Sequence, residues 1–462
     1  MAPVGTLGMF VHRACLACGI AIAALAVVSC MTKRSEADGL KPGLNYMQPV
    51  KWRLTCTYRV RQIIPEVEKF VPRPGESPAA LRSAVGRGTY EVWLVGPQER
   101  DGVRGVHLLY SNPPPQRDTP STDESGECLY YDLAPGDLLP GEVQITAAWE
   151  FVTFEEYTYW GPLREVRIGG TANDQARWLG EDPPILLHAE LARQAQDCRD
   201  PDGRVVDTAL NCYNYIHRNF QYDETQPFRI IYNGQSALLD TFRTWQSKSG
   251  QCDELSSVLV AMLRSAGIPA RTVAGLAYAP DLAGGGHTWA EFWLMGAGWV
   301  PVDVAKGWNT KVINAGVSPL GSKRGIPVED YYFGKHDPYR VRMYTGWNYR
   351  LVPAPRTPDA APVQQWLIFS TERYSGVKRL VRGFPGPAPL AETTGAGWRV
   401  AEGMAGTNWR AEVELLGPPS QDELEPLLRP ITAEGGHYLP VAVAGRFPVE
   451  NDALSEKPGQ AE

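Results

Sequence analysis

The fold is decided by the stretch SGQCDELSSVLVAMLRSAGIPAR, residues 249–271. Its apolar residues recur at the spacing of a helix that buries one face, and they are Leu255, Val258, Leu259, Met262, Leu263 and Ala266. Gly267 and Pro269 end this pattern. Cys252 therefore stands at the start of a buried helix. Unpaired backbone N–H groups at that position are expected to lower the pKa of its thiol and to stabilise an oxyanion.

A second stretch supplies a base and a carboxylate. Residues 287–293 read HTWAEFW and residues 298–303 read GWVPVD, with Gly296-Ala297-Gly298 at the junction. Aromatic and β-branched residues on both sides of a glycine-rich turn predict an antiparallel hairpin. The hairpin carries His287 on one strand and Asp303 on the other. With Cys252, these residues fit the pattern of nucleophile, base and orienting carboxylate.

The predicted hairpin leaves a gap between base and carboxylate. A plain turn through Gly296–Gly298 sets Asp303 opposite Ala290 or Glu291. His287 is then three or four residues away, which is roughly 10–13 Å along the strand. We therefore expect a bulge or a staggered register to bring the two side chains together.

Together these motifs resemble the transglutaminase-like superfamily of papain-type cysteine enzymes. The resemblance rests on Gly250-Gln251-Cys252, on Ala266 to Arg271, on His287-x-Trp289-x-Glu291 and on Gly298-Trp299 through Asp303. It implies an α+β core in which the cysteine-bearing helix packs on an antiparallel β-sheet. It also implies Cys252 as nucleophile, His287 as base and Asp303 as the orienting residue.

Two more residues are candidates for contacts with substrate or oxyanion. Trp245 lies just before the cysteine and is a candidate wall of the acyl-binding cleft, although a core tryptophan is the alternative. Gln251 directly precedes Cys252 and is the other candidate.

The resemblance implies a cysteine acyl-transfer enzyme. A thioester intermediate resolved by water would make it a protease or an amidase, and exported bacterial members of the superfamily favour hydrolysis. An amine acceptor would make it a protein-glutamine transglutaminase that forms cross-links. A non-catalytic binding or scaffold protein on the same fold is the alternative from another class.

Composition excludes other classes of function. The chain has 462 residues, a formal net charge of −7 and no long basic run, which argues against nucleic acid as a partner. No phosphate loop, dinucleotide turn, GxSxG or HExxH motif occurs in it. No histidine forms a metal-binding spacing with another histidine or a cysteine. We therefore expect neither a cofactor nor a metal.

The N-terminus predicts export. An apolar stretch from Ala14 to Val28 follows Arg13 and ends in Val27-Val28-Ser29-Cys30, which resembles a bacterial lipoprotein signal. Residues 1–29 would then be a signal peptide, Cys30 the lipidated residue and residues 30–46 a tether. An ordinary signal peptide or an uncleaved anchor is the alternative. A protein anchored by lipid to the bacterial membrane, facing the periplasm or the outer membrane, would meet envelope proteins or wall peptides as substrates.

The remaining chain divides by its patterns. Alternating strands over residues 47–170 predict an immunoglobulin-like β-sandwich. The catalytic domain is expected at 171–350, a proline-rich linker at 351–360, a small C-terminal β region at 361–449 and a disordered tail at 450–462. Because export permits disulfides, the pairs Cys56–Cys128 and Cys198–Cys212 are candidates.

Three further positions carry expectations. Residues 279–286, which end in three glycines, predict a flexible loop before His287. Glu291 is expected to pair with a basic residue. His336 precedes Asp337-Pro338 and is expected in a loop.

Overall fold

The sequence predictions that can be compared with coordinates are those on the described residues. The structure is a computed structural model that describes residues 40–61, 89–122, 124–133, 142–169, 175–182, 184–223, 240–278, 284–305, 332–347, 352–353, 368–374, 397–402 and 409–439. Cys30, the predicted signal peptide and the predicted tail lie outside them, as do most of the linker and of the tether. The proposed domain boundaries stay predictions.

Six strands precede residue 160, where apolar residues alternate along the chain. They are β1 (Gly43–Arg61), β2 (Thr89–Val95), β3 (Val103–Asn112), β4 (Arg117–Thr119), β5 (Cys128–Leu133) and β6 (Glu142–Tyr159). The long strands β1 and β6 are antiparallel, with Gly43 opposite Tyr159 and Arg61 opposite Glu142. Apolar side chains of β1, β2, β5 and β6 share one hydrophobic core. These four strands belong to two sheets, and side chains from 274–278 and 341–344 also contribute to this core. The immunoglobulin-like topology stays a prediction.

Helices dominate the next part of the chain. They are α1 (Ala189–Asp197), α2 (Val205–Asn219), α3 (Thr241–Ser247) and α4 (Cys252–Ser265), with two short strands, β7 (Gln221–Tyr222) and β8 (Ser249–Gly250), that pair in parallel. Two 3₁₀ helices, Gly161–Glu165 and Ala176–Leu179, precede them. Helix α4 begins at the cysteine and ends before Gly267, as its apolar spacing predicts.

The sheet next to α4 has four antiparallel strands in the order β11-β10-β9-β13. Their bounds are β9 (Ala270–Tyr278), β10 (Gly284–Leu294), β11 (Gly298–Val302) and β13 (Arg340–Thr345), and β12 (Lys335–His336) lies before β13. Apolar residues of α4, including Leu255 and Leu259, share a core with Phe292 and Val302 of this sheet. The predicted α+β core is therefore confirmed. Strand β10 begins at Gly284, so the predicted loop before His287 was wrong for its last three residues.

Strands of the predicted C-terminal β region pair with strands from earlier in the chain. They are β14 (Ile368–Tyr374), β15 (Gly397–Glu402), β16 (Trp409–Gly417) and β17 (His437–Tyr438), and a helix, α5 (Gln421–Ala433), lies between the last two. Strand β14 pairs with β2, and β16 pairs with β1. The free edges of the early strands have unpaired backbone groups, which the C-terminal strands satisfy.

The two predicted disulfides are absent from the structure. Cys56, Cys128, Cys198 and Cys212 are all buried, and none of them is in a disulfide in the structure. Cys56 and Cys128 lie in the core between the first two sheets, and burial raises the pKa of Cys128 to about 12. Cys198 and Cys212 form a hydrogen bond between their side chains. Both pairs are packed as small apolar residues, which cysteine tolerates without a covalent link.

Candidate active site

Cys252 is the first residue of α4, and the chain before it is shaped for that position. The backbone N–H of Gln251 donates to Glu254 Oε2 at 2.8 Å, which closes the first turn of the helix. A Cβ atom on Gly250 would lie only 2.8 Å from the Glu254 Cβ, so glycine is needed directly before this cap. The sulfur is thereby held at the helix tip, on a residue that is half-buried.

Helix α4 makes polar contacts with the backbone of β10 at Thr288. The backbone N–H of Thr288 donates to the Cys252 sulfur, and Ser256 Oγ donates to the Thr288 carbonyl oxygen at 3.2 Å. Strands β10 and β11 stop pairing at Ala290 and Val302, so the edge of β10 at Thr288 is open to the helix. This contact brings the sulfur next to the residue that follows His287.

His287 and Asp303 are in direct contact. Nε2 of His287 lies 2.7 Å from Oδ2 of Asp303. Val302 pairs with Ala290, so Asp303 falls beside Trp289, two residues from His287. Such diagonal neighbours across antiparallel strands are within reach of long side chains. The predicted gap of three or four residues was wrong, and the pairs of β10 and β11 contain no bulge.

Asp303 is a fully buried carboxylate with three donors around it. Besides His287, Arg340 Nη1 lies 2.6 Å from Oδ2, and the Ala305 N–H donates to Oδ1 at 3.1 Å. Burial by itself would raise the pKa of Asp303. The nearby charges of His287 and Arg340 outweigh it and hold this pKa well below its ordinary value. Asp303 is therefore ionised and can only accept hydrogen bonds.

Arg340 was not identified from the sequence as part of the site. Its guanidinium lies above the Tyr332 ring at 4.9 Å, and its Nε contacts Asp337 Oδ2 at 3.3 Å. The Tyr332 hydroxyl donates to the same Asp337 oxygen at 3.2 Å. The only signal in the sequence was the order Asp337-Pro338-Tyr339-Arg340, which gives no indication of contact with a residue 37 positions earlier.

The pKa of the Cys252 thiol runs against the sequence prediction. Burial raises it, and the charges of Asp253 and Asp303 raise it further. Hydrogen bonds from the N–H groups of Thr288 and Asp253 lower it by less than that. The expected lowering by the helix terminus alone was therefore wrong. A thiolate at this position therefore needs a positive partner that offsets these effects.

His336 also differs from its prediction. It lies in β12 rather than in a loop, and it is 2% exposed. Its ring packs edge-on against Trp289, with centroids 5.3 Å apart. Trp289 in turn stacks with His287 at 6.4 Å. Burial lowers the pKa of His336 well below its ordinary value, so a neutral imidazole backs the wall behind His287.

Glu291 is held in a buried ion pair, as expected. Arg271 Nη2 lies 2.7 Å from its Oε2, and Arg342 contacts its Oε1. All three side chains are at most 3% exposed. The carboxylate is four residues from His287 on β10 and its partners are arginines, so it stabilises the sheet beside the site.

The two remaining candidates lie near the cysteine. Trp245 is 6% exposed and stacks on Tyr215 with ring centroids 5.8 Å apart. Lys248 Nζ lies 3.3 Å from the Trp245 ring centroid. This packing fits the core alternative for Trp245. Gln251 forms the helix cap described above, and a contact of either residue with substrate or oxyanion stays a prediction.

Two further features of the described residues concern metal ions and the membrane. Within the ranges given above, no three histidine, cysteine, aspartate or glutamate side chains are grouped so that they could hold a metal ion. None of the helices in those ranges combines the length and the apolar character that a membrane span requires.

Comparison with known proteins covers the part of the chain that carries the site. Residues 190–304 match the core-domain model of the transglutaminase-like superfamily. An uncharacterized protein of Haemophilus influenzae is 30% identical over 138 residues, which are 25% of this chain and 36% of that protein. YebA of Bacillus subtilis, also uncharacterized, is 32% identical over 163 residues, which are 31% of this chain and 21% of that protein.

Among solved structures, a candidate cysteine protease from Cytophaga hutchinsonii is similar to this chain. The TM-score is 0.44 at 13% identity, and the alignment covers 82% of this chain and 94% of that one. By contrast, the chain spans only about a third or less of the length of the two curated relatives from Haemophilus influenzae and Bacillus subtilis.

Proposed function

We propose that this chain, which carries a transglutaminase-like core at residues 190–304, is a cysteine acyl-transfer enzyme that cleaves amide or peptide bonds. The observation that carries the proposal is the contact of 2.7 Å between His287 and Asp303 at the strand edge where the Cys252 sulfur accepts the Thr288 N–H. These two contacts support the proposed roles of Cys252 as nucleophile, His287 as base and Asp303 as orienting carboxylate.

We propose a role for each imidazole nitrogen of His287. Nε2 faces Asp303, and an ionised carboxylate only accepts, so Nε2 carries a proton. Nδ1 is then the nitrogen that exchanges a proton with the Cys252 sulfur. The resulting thiolate–imidazolium pair offsets the burial that raises the pKa of the thiol.

The reaction then proceeds in two halves. The Cys252 thiolate adds to the amide carbonyl, and the oxyanion forms beside the N–H groups at the start of α4. Collapse of this intermediate breaks the C–N bond, and His287 gives its proton to the departing amine. A thioester on Cys252 remains. Water, deprotonated by His287, attacks the thioester and releases the acid and the thiol.

Hydrolysis is the outcome that we propose over amine transfer. The half-buried state of Cys252 supports it, since water can approach a partly exposed thioester. We further propose that the enzyme acts at the cell envelope, anchored by lipid on Cys30. Metabolic labelling with an alkyne fatty acid tests the anchor: the wild type should be labelled and Cys30→Ala should not. Equal labelling of both would contradict the lipid anchor.

The experiment that tests the function offers the protein a peptide mixture together with a labelled primary amine. Mass spectrometry should find new peptide termini, or glutamine side chains converted to glutamate, and Cys252→Ala should abolish both. Incorporation of the amine without hydrolysis would instead assign a cross-linking transglutaminase. Turnover by neither route, with bound peptides unchanged, would indicate a scaffold and overturn the proposal.

A further inference from the structure

We propose that Arg340 is a positioning residue for the base: its guanidinium fixes the Asp303 carboxylate against His287 and balances its charge throughout the reaction. This inference rests on the proposed function. Arg340 lies 36 residues beyond the end of the matched family core, and nothing in that match assigns it a role. It acts through Asp303 and does not itself contact the sulfur in the geometry described above.

Arg340 contacts the oxygen of Asp303 that also contacts His287, so it can control the relay from Asp303 through His287 to Cys252. Arg340 Nη1 and His287 Nε2 both meet the same oxygen of Asp303, Oδ2, at 2.6 and 2.7 Å. The other oxygen is occupied by the Ala305 N–H. The carboxylate is therefore held at both ends, and its rotation away from the imidazole would break the contact with Arg340 as well.

The charge of Arg340 has a separate consequence. Asp303 is fully buried, and the neutral imidazole gives it a hydrogen bond but no positive charge. A carboxylate in such surroundings tends to take up a proton, unless a permanent cation lies beside it. Arg340 supplies that cation at every stage, whether or not His287 is charged. Asp303 thus remains an acceptor, and Nε2 of His287 remains protonated.

The guanidinium is itself held in one orientation. Its Nε is directed to Asp337 Oδ2 at 3.3 Å, and the Asp337 Oδ1 accepts the Tyr339 N–H at 3.0 Å. Strand β13 pairs with β9, with Arg340 opposite Ala277, which brings this part of the chain to the site. Arg340 is therefore oriented by its own strand and by a carboxylate, independently of His287.

Other titratable groups also face Asp303 and belong in any account of its pH dependence. They are His287 on β10, His336 on β12, Tyr332, His217 on α2 and Cys252 on α4. His336 and His217 both have pKa values lowered by burial, so neither replaces Arg340 as a permanent cation.

A neighbouring arginine provides the matched control. Arg342 lies two residues along the same strand, is equally buried and pairs with Glu291 rather than with Asp303. Replacing either arginine by glutamine leaves a buried carboxylate short of a cation. Only the change at Arg340 removes the cation beside Asp303. Comparison of the two variants therefore separates a positioning role in the site from a structural role in the sheet.

The test measures the pH dependence of Cys252 alkylation by iodoacetamide, followed by mass spectrometry on the intact folded protein. The reaction needs no substrate and reports the thiolate. In the wild type the rate should rise along an acid limb to a plateau. In Arg340→Gln this limb should move up by about one pH unit or more, because Asp303 then takes up a proton and no longer stabilises the imidazolium. We expect this loss to outweigh the smaller opposite effect, the removal of the Asp303 charge that raises the pKa of the Cys252 thiol. Arg340→Lys, which keeps the charge, should return the limb to within about half a unit of the wild type.

The controls decide between the remaining readings. Arg342→Gln should leave the limb in place, and Asp337→Asn should lower the plateau without moving the limb. Any one of four results would overturn the inference. The acid limb could stay in place in Arg340→Gln, or move equally in Arg342→Gln. Arg340→Lys could fail to restore the limb, or Asp337→Asn could leave the plateau rate unchanged. If Arg340→Gln does not fold, the lysine and Asp337→Asn variants still decide it. A wild type that alkylates like a free thiol, unaffected by His287→Ala, would instead overturn the proposed function.

Discussion

At the scale of the residue, Glu156 carries a protonated carboxyl group inside the protein. Burial raises its pKa to about 8, against an ordinary value of 4.5, while the charge of Arg342 acts in the opposite direction. The folded state therefore keeps a proton that the unfolded state loses between pH 4.5 and 8. The stability that comes from this carboxyl is present below pH 4.5 and is lost as the pH rises through this window.

The loss of stability with rising pH gives a prediction for Glu156→Gln. The variant has no carboxyl to titrate, so its melting temperature should fall less between pH 5 and pH 8.5 than that of the wild type. The difference in the free energy of unfolding should be a few kcal/mol at most, since one pKa unit is about 1.4 kcal/mol. Thermal unfolding at both pH values measures it, with the exposed Glu412→Gln as the control. The same pH dependence in wild type and Glu156→Gln would contradict the assignment.

Whether a residue of the site could be predicted depends on how far along the chain it lies from a recognisable motif. Cys252, His287 and Asp303 could be proposed because a helix start and a hairpin are local patterns. The direction of the Cys252 pKa could not, because burial is a property of the folded protein. Arg340 could not either, since only the pairing of β13 with β9 brings it to Asp303.

At the scale of the element, the site depends on how α4 meets β10. The helix and the hairpin were predictable from apolar spacing and from the glycine turn. Their polar contact was not, because it joins a side chain of the helix, Ser256, to the backbone of a residue 32 positions later, Thr288. The register was misjudged for a related reason. A turn of three residues between Leu294 and Gly298 shifts Asp303 one or two positions closer to His287 than assumed.

Two adjacent serines test the contact of α4 with β10. Ser256→Ala leaves the buried Thr288 carbonyl without this donor, which should destabilise the protein by about 1–3 kcal/mol. It should also slow Cys252 alkylation, since the sulfur accepts the backbone N–H of the same residue, Thr288. Ser257→Ala removes only a bond within the helix, to the Asp253 carbonyl, and should leave the alkylation rate unchanged. Chemical denaturation and alkylation measure both, and equal alkylation rates in the two variants would contradict this anchor.

At the scale of the whole molecule, residues 409–439 pack against the strands formed by residues 43–61 and 142–159. Strand β16 pairs with β1, and Ile431 of α5 is fully buried beside Leu44, Tyr46 and Phe154. Sequence patterns predicted most of these strands, but they contain no information about which distant edge a strand will join. The sequence therefore predicted a C-terminal β region but not the sheets that its strands join.

Ile431→Ala tests the packing of α5 against the first strands. It removes a buried side chain from the contact between α5 and the β1–β6 pair, so the free energy of unfolding should fall by about 2–5 kcal/mol. Thr432→Ala changes the next residue, which is exposed, and should alter it by less than about 1 kcal/mol. Denaturant unfolding measures both. A small, equal effect in the two variants would contradict docking of α5 on the first sheet.

The central claim is that His287, held by Asp303, activates the Cys252 sulfur, and alkylation at pH 7 tests it most directly. The measurement compares the rate at Cys252 in wild type and in His287→Ala, with the buried thiol of Cys128 as an internal reference. The account predicts that Cys252 reacts much faster than Cys128 in the wild type and loses at least about tenfold in the variant, because a single pKa unit changes the thiolate population tenfold. Equal rates at Cys252 in the two proteins would contradict it.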